Sequence, residues 1–165
     1  GRTREIARSE GDSGIVWRLS VAEIEAGAGF SSFPGLRRCL TLFRGAGLSL
    51  TLGSEVSSPG NDPFWFSGDA PVRCAVPSGT VSVFNLMHDP AVSKAAVKVL
   101  PEISRQRIMV PRDTVICVFC LSGRLRIGAA TGEAGCYAVI SGGDREVAFD
   151  VTGRVLCAHI TVFSS

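Results

Sequence analysis

The side chains that most often bind metals are scarce in this sequence. Its two histidines are His88 and His159, and neither has a clustered carboxylate or belongs to a His-x-His motif. Two imidazoles cannot supply the three or four ligands of the usual Zn, Fe or Mn site. We therefore expect no metal and no cofactor. His159 lies in an apolar segment typical of a core histidine, whereas His88 precedes Asp89-Pro90, which is typical of an exposed loop.

Cysteine is the other residue type that could carry metal or redox chemistry. Six cysteines lie mostly among apolar residues: Cys39, Cys74, Cys117, Cys120, Cys136 and Cys157. The pair Cys117 and Cys120 has CxxC spacing, but it lies in a predicted strand and not at a helix N-terminus, where a redox thiolate is stabilised. No second CxxC completes a zinc site. Because the spacing matches no disulfide framework, we expect six free thiols and a cytoplasmic location.

Polar residues on apolar strand faces point to anion binding. Arg38 shares a predicted strand face with Leu40 and Leu42, where its charge must be paired or must meet an anion. Asp69 could supply that pair across the expected barrel, which is the structural alternative to a ligand. Asn85 falls on another apolar strand face, and a buried amide needs hydrogen-bond partners.

The segment Phe30-Ser31-Ser32-Phe33 precedes Pro34-Gly35 and is a loop by composition. It can be read as a turn anchored by two buried rings, or as a ligand mouth with hydroxyl donors. Neither serine lies in a GxSxG motif or beside a His or Asp, so nucleophilic catalysis is not expected.

The expected site is therefore a carboxylate-binding one without catalytic residues. Ser32, Arg38 and Asn85 are expected to converge near one mouth of the barrel and to hold a carboxylate, with Asp69 orienting Arg38. The full set of candidate ligand-binding residues is Ser31, Ser32, Phe33, Arg38, Asp69 and Asn85.

Short alternating segments must position these residues. About a dozen predicted strands are separated by turns among 19 Gly and 8 Pro, a pattern of sandwiches and barrels. Predicted hairpins turn at Gly45-Ala46-Gly47 and around Gly123. Helix is expected in two short pieces, one over 21–26 after the capping box of Ser20 and Glu23, ended by Gly27 and Gly29, and one over 92–99.

Composition places the chain among globular proteins. Its 165 residues fit one domain, and 45% are hydrophobic. A net charge of +2, with scattered basic residues, argues against nucleic-acid binding. No apolar run is long enough for a membrane helix, and no signal peptide is predicted within these residues, so no membrane partner is expected. Residues 1–14 are expected to be a frayed tail before a single domain over 15–165.

The two halves of the sequence resemble each other. Phe64 to Asp69 has a counterpart in Ala138 to Asp144, and a glycine follows each Ser-Gly turn at the same distance. Two repeats, about 15–90 and 113–165 with a connecting segment over 91–112, are therefore predicted. The expected fold is all-β: a cupin-like jelly roll of two tandem repeats fused in one barrel-like domain, with minor helix.

Several short motifs of the first half occur in a distinctive order. They are Trp17-Arg18-Leu19-Ser20, Phe30 to Gly35, Arg38, Leu40-Thr41-Leu42, Gly45-Ala46-Gly47, Phe66-Ser67-Gly68-Asp69 and Phe84-Asn85-Leu86-Met87. Together they resemble the HutD/Ves family of the cupin superfamily over residues 17 to 87. The second half is similar to the family only in its general strand pattern.

The resemblance implies a bicupin associated with bacterial histidine utilisation, or with stress response in the Ves branch. In the HutD branch it implies binding of a small acidic pathway intermediate that restrains the pathway, with no assigned enzyme activity. Family members often carry an Asp where this chain has Arg37, and another where it has Val83. Both departures remove an acid, so the ligand or its affinity could differ.

We therefore expect a metal-free protein that binds a small anionic metabolite, and homodimerisation is left open. The rival is a metal-free cupin enzyme, an isomerase or lyase acting on a small acid, with Asp69 or His159 as general base. A third interpretation is a structural or stress-related interaction protein without a ligand. A thermal-shift screen combined with a turnover assay separates the three.

Overall fold

The computed structural model describes residues 1–26, 30–69, 71–100 and 102–163, without the side chains of Ile103 and Ser104. These residues form strands and no helix, which confirms the all-β class. The strands are β1 (Arg2–Gly11), β2 (Gly14–Glu25), β3 (Arg37–Arg44), β4 (Ser49–Leu52), β5 (Glu55–Ser57), β6 (Phe64–Ser67), β7 (Val72–Ala75), β8 (Thr80–His88), β9 (Ser93–Leu100), β10 (Ile103–Val110), β11 (Thr114–Cys120), β12 (Arg124–Ile127), β13 (Ala130–Glu133), β14 (Tyr137–Ser141), β15 (Arg145–Thr152) and β16 (Val155–Val162).

The chain divides into two compact units, Gly1–Ser93 and Lys94–Ser165. In the first unit, a five-stranded sheet has the order β1-β2-β8-β3-β6, and a three-stranded sheet has the order β5-β4-β7. One face of the larger sheet contributes Leu40, Leu42 and Val83 to a buried apolar cluster that also contains Leu50 of the smaller sheet. The same face of β2, β3 and β8 continues beyond the cluster as the candidate site.

The second unit also contains two sheets. Their strand orders are β14-β11-β16-β9 and β10-β15-β12-β13. Alternate residues of β11 and β16, such as Val118 and Cys157, join Phe149 and Val151 of β15 in a separate buried cluster. Alternation with a period of two therefore builds each apolar core, as the sequence pattern predicts.

The prediction of barrel closure is wrong. Each of the four described sheets ends in two edge strands and none closes on itself. The predicted hairpins are wrong for a related reason, because the turn at Gly45 leads from β3 into β4 of the other sheet. Gly45 has a φ of 108, and a Cβ there would lie 2.7 Å from Val81 Cγ1. The turn at Gly123 likewise joins β11 and β12, which lie in different sheets.

Both predicted helices are strands. The segment read as a capping box continues β2, in which Ser20 pairs with Asn85 of β8, so sheet pairing overrides the local helix signal. The segment over 92–99 forms most of β9. The expected helix terminators Gly27 and Gly29 lie outside the described residues. No helix of the described chain has the length and apolarity that a membrane span requires.

Two expectations for the ends of the repeats also differ from the structure. The first residues are not a frayed tail, because β1 pairs with β2 from Arg2 to Gly11. His88 does not lie in an exposed loop, since it ends β8 and is 5% exposed. The segment expected to connect the repeats contains β9 and β10, and the strand predicted over 103–110 is confirmed as β10.

Candidate functional site

A cavity of about 290 Å³ opens on the larger sheet of the first unit. Small-molecule sites commonly measure about 300–1,000 Å³, so this cavity suits a small ligand. Its lining comes from β1, β2, β3, β8 and the loop before β3, and consists of Gly1, Thr3, Arg18, Ser20, Ala22, Glu23, Ile24, Phe30, Ser31, Phe33, Arg38, Asn85 and Met87.

Strand register explains how distant residues meet in this cavity. Ser20 pairs with Asn85, and both Arg18 and Arg38 pair with Met87 from opposite sides of β8. Directly paired residues of antiparallel strands point to the same side of a sheet. The polar side chains of three strands therefore lie on one face, where the apolar cluster of that unit ends.

Arg38 is a buried cation that has no acidic partner among the residues the structure describes. The residue is only 5% exposed, and burial lowers the pKa of its guanidinium to about 10. Nη1 donates a hydrogen bond to the Ser31 carbonyl at 3.0 Å. Nε is buried with no partner in the described chain, and no carboxylate of that chain forms an ion pair with the guanidinium. Such a group is suited to receive an anion.

Three phenyl rings surround this guanidinium. Its Cζ atom lies 5.3 Å from the ring centroid of Phe30, 5.1 Å from that of Phe33 and 5.0 Å from that of Phe66. Ring faces attract a cation, and their apolar bulk keeps water from it. Phe66 is placed by sheet pairing, since it lies opposite Arg38 on β6. The rings thus hold the charge in position without neutralising it.

Asn85 and Ser20 add neutral polar groups beside the arginine. Asn85 is 7% exposed and Ser20 is 3% exposed, and both line the cavity. The Asn85 amide makes no hydrogen bond within the described chain. An amide offers two donor hydrogens and an acceptor oxygen. It could therefore contact a carboxylate or the polar group of a bound ligand.

The loop before β3 is held by the turn after β6. Phe33 N–H donates to the Gly68 carbonyl at 3.0 Å, and Gly68 N–H donates to the Leu36 carbonyl at 2.7 Å. The Ser32 hydroxyl also donates to the Gly68 carbonyl, at 3.3 Å. Ser32 lines a neighbouring depression and not the cavity, so its hydroxyl supports the loop.

Asp69 acts on the same loop. Its carboxylate accepts hydrogen bonds from Gly35 N–H at 2.8 Å and from the Ser67 hydroxyl at 2.7 Å. These bonds, the one from Gly35 first, lower the pKa of the Asp69 carboxyl. The predicted contact between Asp69 and Arg38 is wrong for the described chain. Asp69 instead holds the loop whose Ser31 carbonyl contacts the arginine.

The structure therefore brings together four of the candidate residues and leaves two beside them. Ser31, Phe33, Arg38 and Asn85 line one cavity, whereas Ser32 and Asp69 support its wall. The sequence analysis missed Arg18, Ser20 and Met87. Alternation within Trp17-Arg18-Leu19-Ser20 could have placed Arg18 and Ser20 on one face, but the partner strand was needed to bring them to Asn85.

The thiols and histidines lie outside this cavity. All six cysteines are free, and burial raises the pKa of Cys39, Cys117 and Cys157 to about 12, which suppresses thiolate chemistry. Burial also lowers the pKa of both His88 and His159. In the part of the chain that the structure describes, no group of three or more His, Cys, Asp or Glu residues could hold a metal ion.

Two Pseudomonas proteins are similar to this chain in sequence along most of its length. A Pseudomonas putida protein, described as an uncharacterised 21.2 kDa protein in the hutC 3′ region, is 32% identical over 163 residues, covering 93% of this chain and 84% of the relative. The structure of HutD from Pseudomonas fluorescens SBW25 is 30% identical, with a TM-score of 0.84 over 98% of this chain and 89% of that one.

A cupin 2 conserved barrel domain protein from Leptotrichia buccalis is 11% identical, with a TM-score of 0.63 over 98% of this chain and 88% of that one. At that identity the likeness shows the fold alone, which is cupin-like. The sequence model of the HutD family matches residues 1–156. The family resemblance seen in the first half thus extends through most of the second, and the chain belongs to the HutD family.

Proposed function

We propose that this protein binds a small carboxylate in the cavity above Arg38. The observation that carries the proposal is the buried guanidinium, which has a partnerless Nε and no acidic partner in the described chain. A guanidinium and a carboxylate match as a two-pronged pair of charge-assisted hydrogen bonds. Asn85 supplies further donors from the adjacent strand.

The side chains near the cavity support binding without catalysis. Asp69, one of the two candidate bases, lies outside the lining and has a lowered carboxyl pKa, so it is a weak proton acceptor. His159, the other candidate, belongs to the second unit and is not among the lining residues. A general base must lie within hydrogen-bond reach of the proton that it removes.

The family suggests which carboxylates to consider. A relative lies in the hutC 3′ region, and the HutD family is linked to the histidine utilisation region. We infer that the bound carboxylate is an acidic intermediate of histidine utilisation and that binding reports its level. The stress-related role implied for the Ves branch is the alternative, and it predicts no response to these intermediates.

Calorimetry and thermal melting test the proposal with matched ligands. Acetate and propionate, together with the acidic intermediates of histidine degradation, should bind and raise the melting temperature, whereas acetamide and propionamide should not. Absorbance of each mixture is followed for turnover. Binding without turnover supports the proposal, turnover supports an isomerase or lyase, and equal responses to acids and amides would contradict anion recognition.

We also propose that the two units are two copies of one cupin repeat. The order β2-β8-β3-β6 of the first unit corresponds to β9-β16-β11-β14 of the second. The order β5-β4-β7 corresponds in the same way to β13-β12-β15. Gly68 and Gly142 occupy equivalent turns, and a Cβ at either would collide with backbone carbonyls of the loop before β3 or β11. An experimental structure with a different strand order in one unit would contradict the proposal.

A further inference from the structure

Two cysteines of the second unit lie opposite each other just before β14 begins. Cys120 N–H donates to the Cys136 carbonyl at 2.9 Å, and Gly135 N–H donates to the Cys120 carbonyl at 2.8 Å. Gly135 has a φ of 92, which makes this arrangement a β-bulge with glycine in the left-handed position. Cys120 and Cys136 are therefore a hydrogen-bonded cross-strand pair, which continues the pairing of Phe119 with Tyr137.

The spacing of such a pair suits a disulfide. Hydrogen-bonded partners of an antiparallel ladder have Cα atoms about 5.5 Å apart, and disulfides most often join Cα atoms about 5.5–6 Å apart. Cys120 belongs to the buried apolar cluster of the second unit, and Cys136 packs against the same cluster, so both side chains lie on one face of the sheet. The two thiols also share a side-chain hydrogen bond.

Among the six cysteines, all of which the structure describes, this pair alone is directly opposed. Cys117 projects from the other face of β11, because residues three apart in a strand point to opposite sides. Cys157 pairs with Val118 of β11 and so lies diagonally from Cys120. The two cysteines of the first unit lie on β3 and β7, which belong to different sheets.

The position of the Cys136 thiol is fixed by the neighbouring strand β13. A Cβ at Gly132 would lie 2.6 Å from both Cβ and Sγ of Cys136, so a side chain at that position would occupy the space of the thiol. Cys136 N–H donates to the Glu133 carbonyl at 2.9 Å. Cys136 is half-buried, whereas Cys120 is fully buried. A dissolved oxidant must therefore reach the pair through Cys136.

We propose that Cys120 and Cys136 form a reversible disulfide when the protein meets a small disulfide oxidant such as oxidised glutathione. The Cys136 thiolate attacks one sulfur of the oxidant, which forms a mixed disulfide and releases one reduced glutathione. The Cys120 thiolate then attacks the Cys136 sulfur, which forms the bond between the two cysteines and releases the second glutathione. Two protein thiols are oxidised, and the oxidant takes up their two electrons and two protons to become two thiols.

The exchange should be slow at neutral pH. Burial raises the pKa of the Cys120 thiol to about 11 and also raises the pKa of Cys136. Because the thiolate is the attacking species, a higher pH increases the reactive fraction. The test is therefore made at about pH 8.5, with circular dichroism to verify that the chain stays folded.

Native protein is incubated with oxidised glutathione, unfolded in acid to stop exchange, and analysed by thiol titration and an unreduced tryptic digest. The wild-type chain should lose two of its six thiols, carry no glutathione at the end point and link the peptide of Cys120 to that of Cys136. Dithiothreitol should restore all six thiols. Cys117→Ala is the matched control, because it removes a cysteine from the same strand and should leave the bridge intact.

Two variants test the order of the steps. In Cys120→Ser the second attack is missing, so Cys136 should accumulate as a glutathione adduct. In Cys136→Ser the buried Cys120 should remain a free thiol. The wild-type digest and Cys136→Ser, whose site is half-buried, decide the question even if Cys120→Ser does not fold. The inference is overturned if the native wild-type chain keeps six thiols or stops at the mixed disulfide, or if the bridge is lost in Cys117→Ala.

Discussion

Arg38 is placed where its charge costs stability, and no acidic residue of the described chain pairs with it. A buried ion without a partner is unfavourable, and replacement by an apolar side chain of similar size is often neutral or stabilising. Evolution of a protein for stability alone would therefore not favour this arginine. The three surrounding rings and the Ser31 carbonyl reduce the cost but leave donors for a ligand.

Arg38→Met tests this balance directly. The variant keeps bulk within the ring cage formed by Phe30, Phe33 and Phe66, and it removes the charge. Carboxylate binding should therefore weaken by about 2 kcal/mol, or roughly 30-fold in Kd. Calorimetry measures the binding, and chemical denaturation measures the free energy of unfolding. Because an unpaired buried cation is removed, that free energy should not fall by more than about 1 kcal/mol.

The matched control is Arg44→Met, which removes an exposed arginine from the same strand and should leave carboxylate binding unchanged. If Arg38→Met lowers the free energy of unfolding strongly and leaves carboxylate binding unchanged, Arg38 is a structural residue. If Arg38→Met unfolds the protein while Asn85→Leu leaves binding intact, the cavity is not the ligand site.

The loop over 30–36 is the element that completes the cavity, and the turn at Gly68 holds it. A Cβ on Gly68 would lie 2.2 Å from the Phe33 carbonyl oxygen and 2.8 Å from that of Leu36. Both atoms belong to backbone, which cannot rotate away as a side chain can. The position therefore requires glycine because of close approach, and not because of an unusual φ.

Gly68→Ala should move the loop away from Arg38. Overpacking of this kind costs about 1–3 kcal/mol, and displacement of Phe33 would open the ring cage. We expect a lower melting temperature together with weaker carboxylate binding. Gly60→Ala is the control, because a Cβ at Gly60 meets nothing within 4 Å. Equal effects of the two substitutions would refute the close-approach argument.

Sequence patterns predicted most strands but not how they pair. Apolar segments bounded by turns revealed β3, β8 and β11, which are buried along most of their length. The charged strand β1 was taken for a tail, because its stability comes from pairing with β2 and not from burial. The turn at Gly45 was read as a hairpin because a local pattern cannot tell a return within one sheet from a change of sheet.

The candidate site was also predictable only in part, because some of its residues are recognisable without the strand pairing and others are not. Arg38 and Asn85 were recognised because a polar group on an apolar face needs a partner, and this holds whatever the pairing. Arg18 was missed because an arginine in a mixed segment has no such signature. Only the register of β2 against β8 brings it beside Met87 and into the cavity.

The whole protein is expected to carry no stoichiometric transition metal. Metal-binding cupins gather several His and a Glu, whereas this chain has two histidines, one in each unit. Elemental analysis after dialysis should report well under one equivalent of Zn, Fe, Mn or Ni per chain. One equivalent that is lost in His159→Ala would contradict this prediction, and the same variant serves to locate the metal.

Buried thiols in both units should make the fold sensitive to alkali. Burial raises the pKa of Cys39, Cys117 and Cys157 to about 12, against an ordinary value of 9.0. Between these two pH values the folded chain retains protons that the unfolded chain has released. The free energy of unfolding must then decrease as pH rises, by at most about 1.4 kcal/mol per pH unit for each thiol. Below about pH 8 the thiols are protonated in both states and contribute no pH dependence.

Chemical denaturation at intervals from pH 7 to 10 measures this decrease. The wild-type free energy of unfolding should be nearly level to about pH 8.5 and should then fall, by about 1.4 kcal/mol per buried thiol at pH 10. Arg38 contributes little in this window, because its guanidinium pKa of about 10 keeps it mostly protonated until the end of the range. Cys117→Ala should lower the free energy of unfolding at every pH, because it leaves a small cavity. Above pH 8.5 that free energy should fall less steeply than in the wild type, by the contribution of one buried thiol. Parallel slopes for variant and wild type would mean that Cys117 ionises in the folded protein as readily as in the unfolded one, and that its burial is not retained in solution.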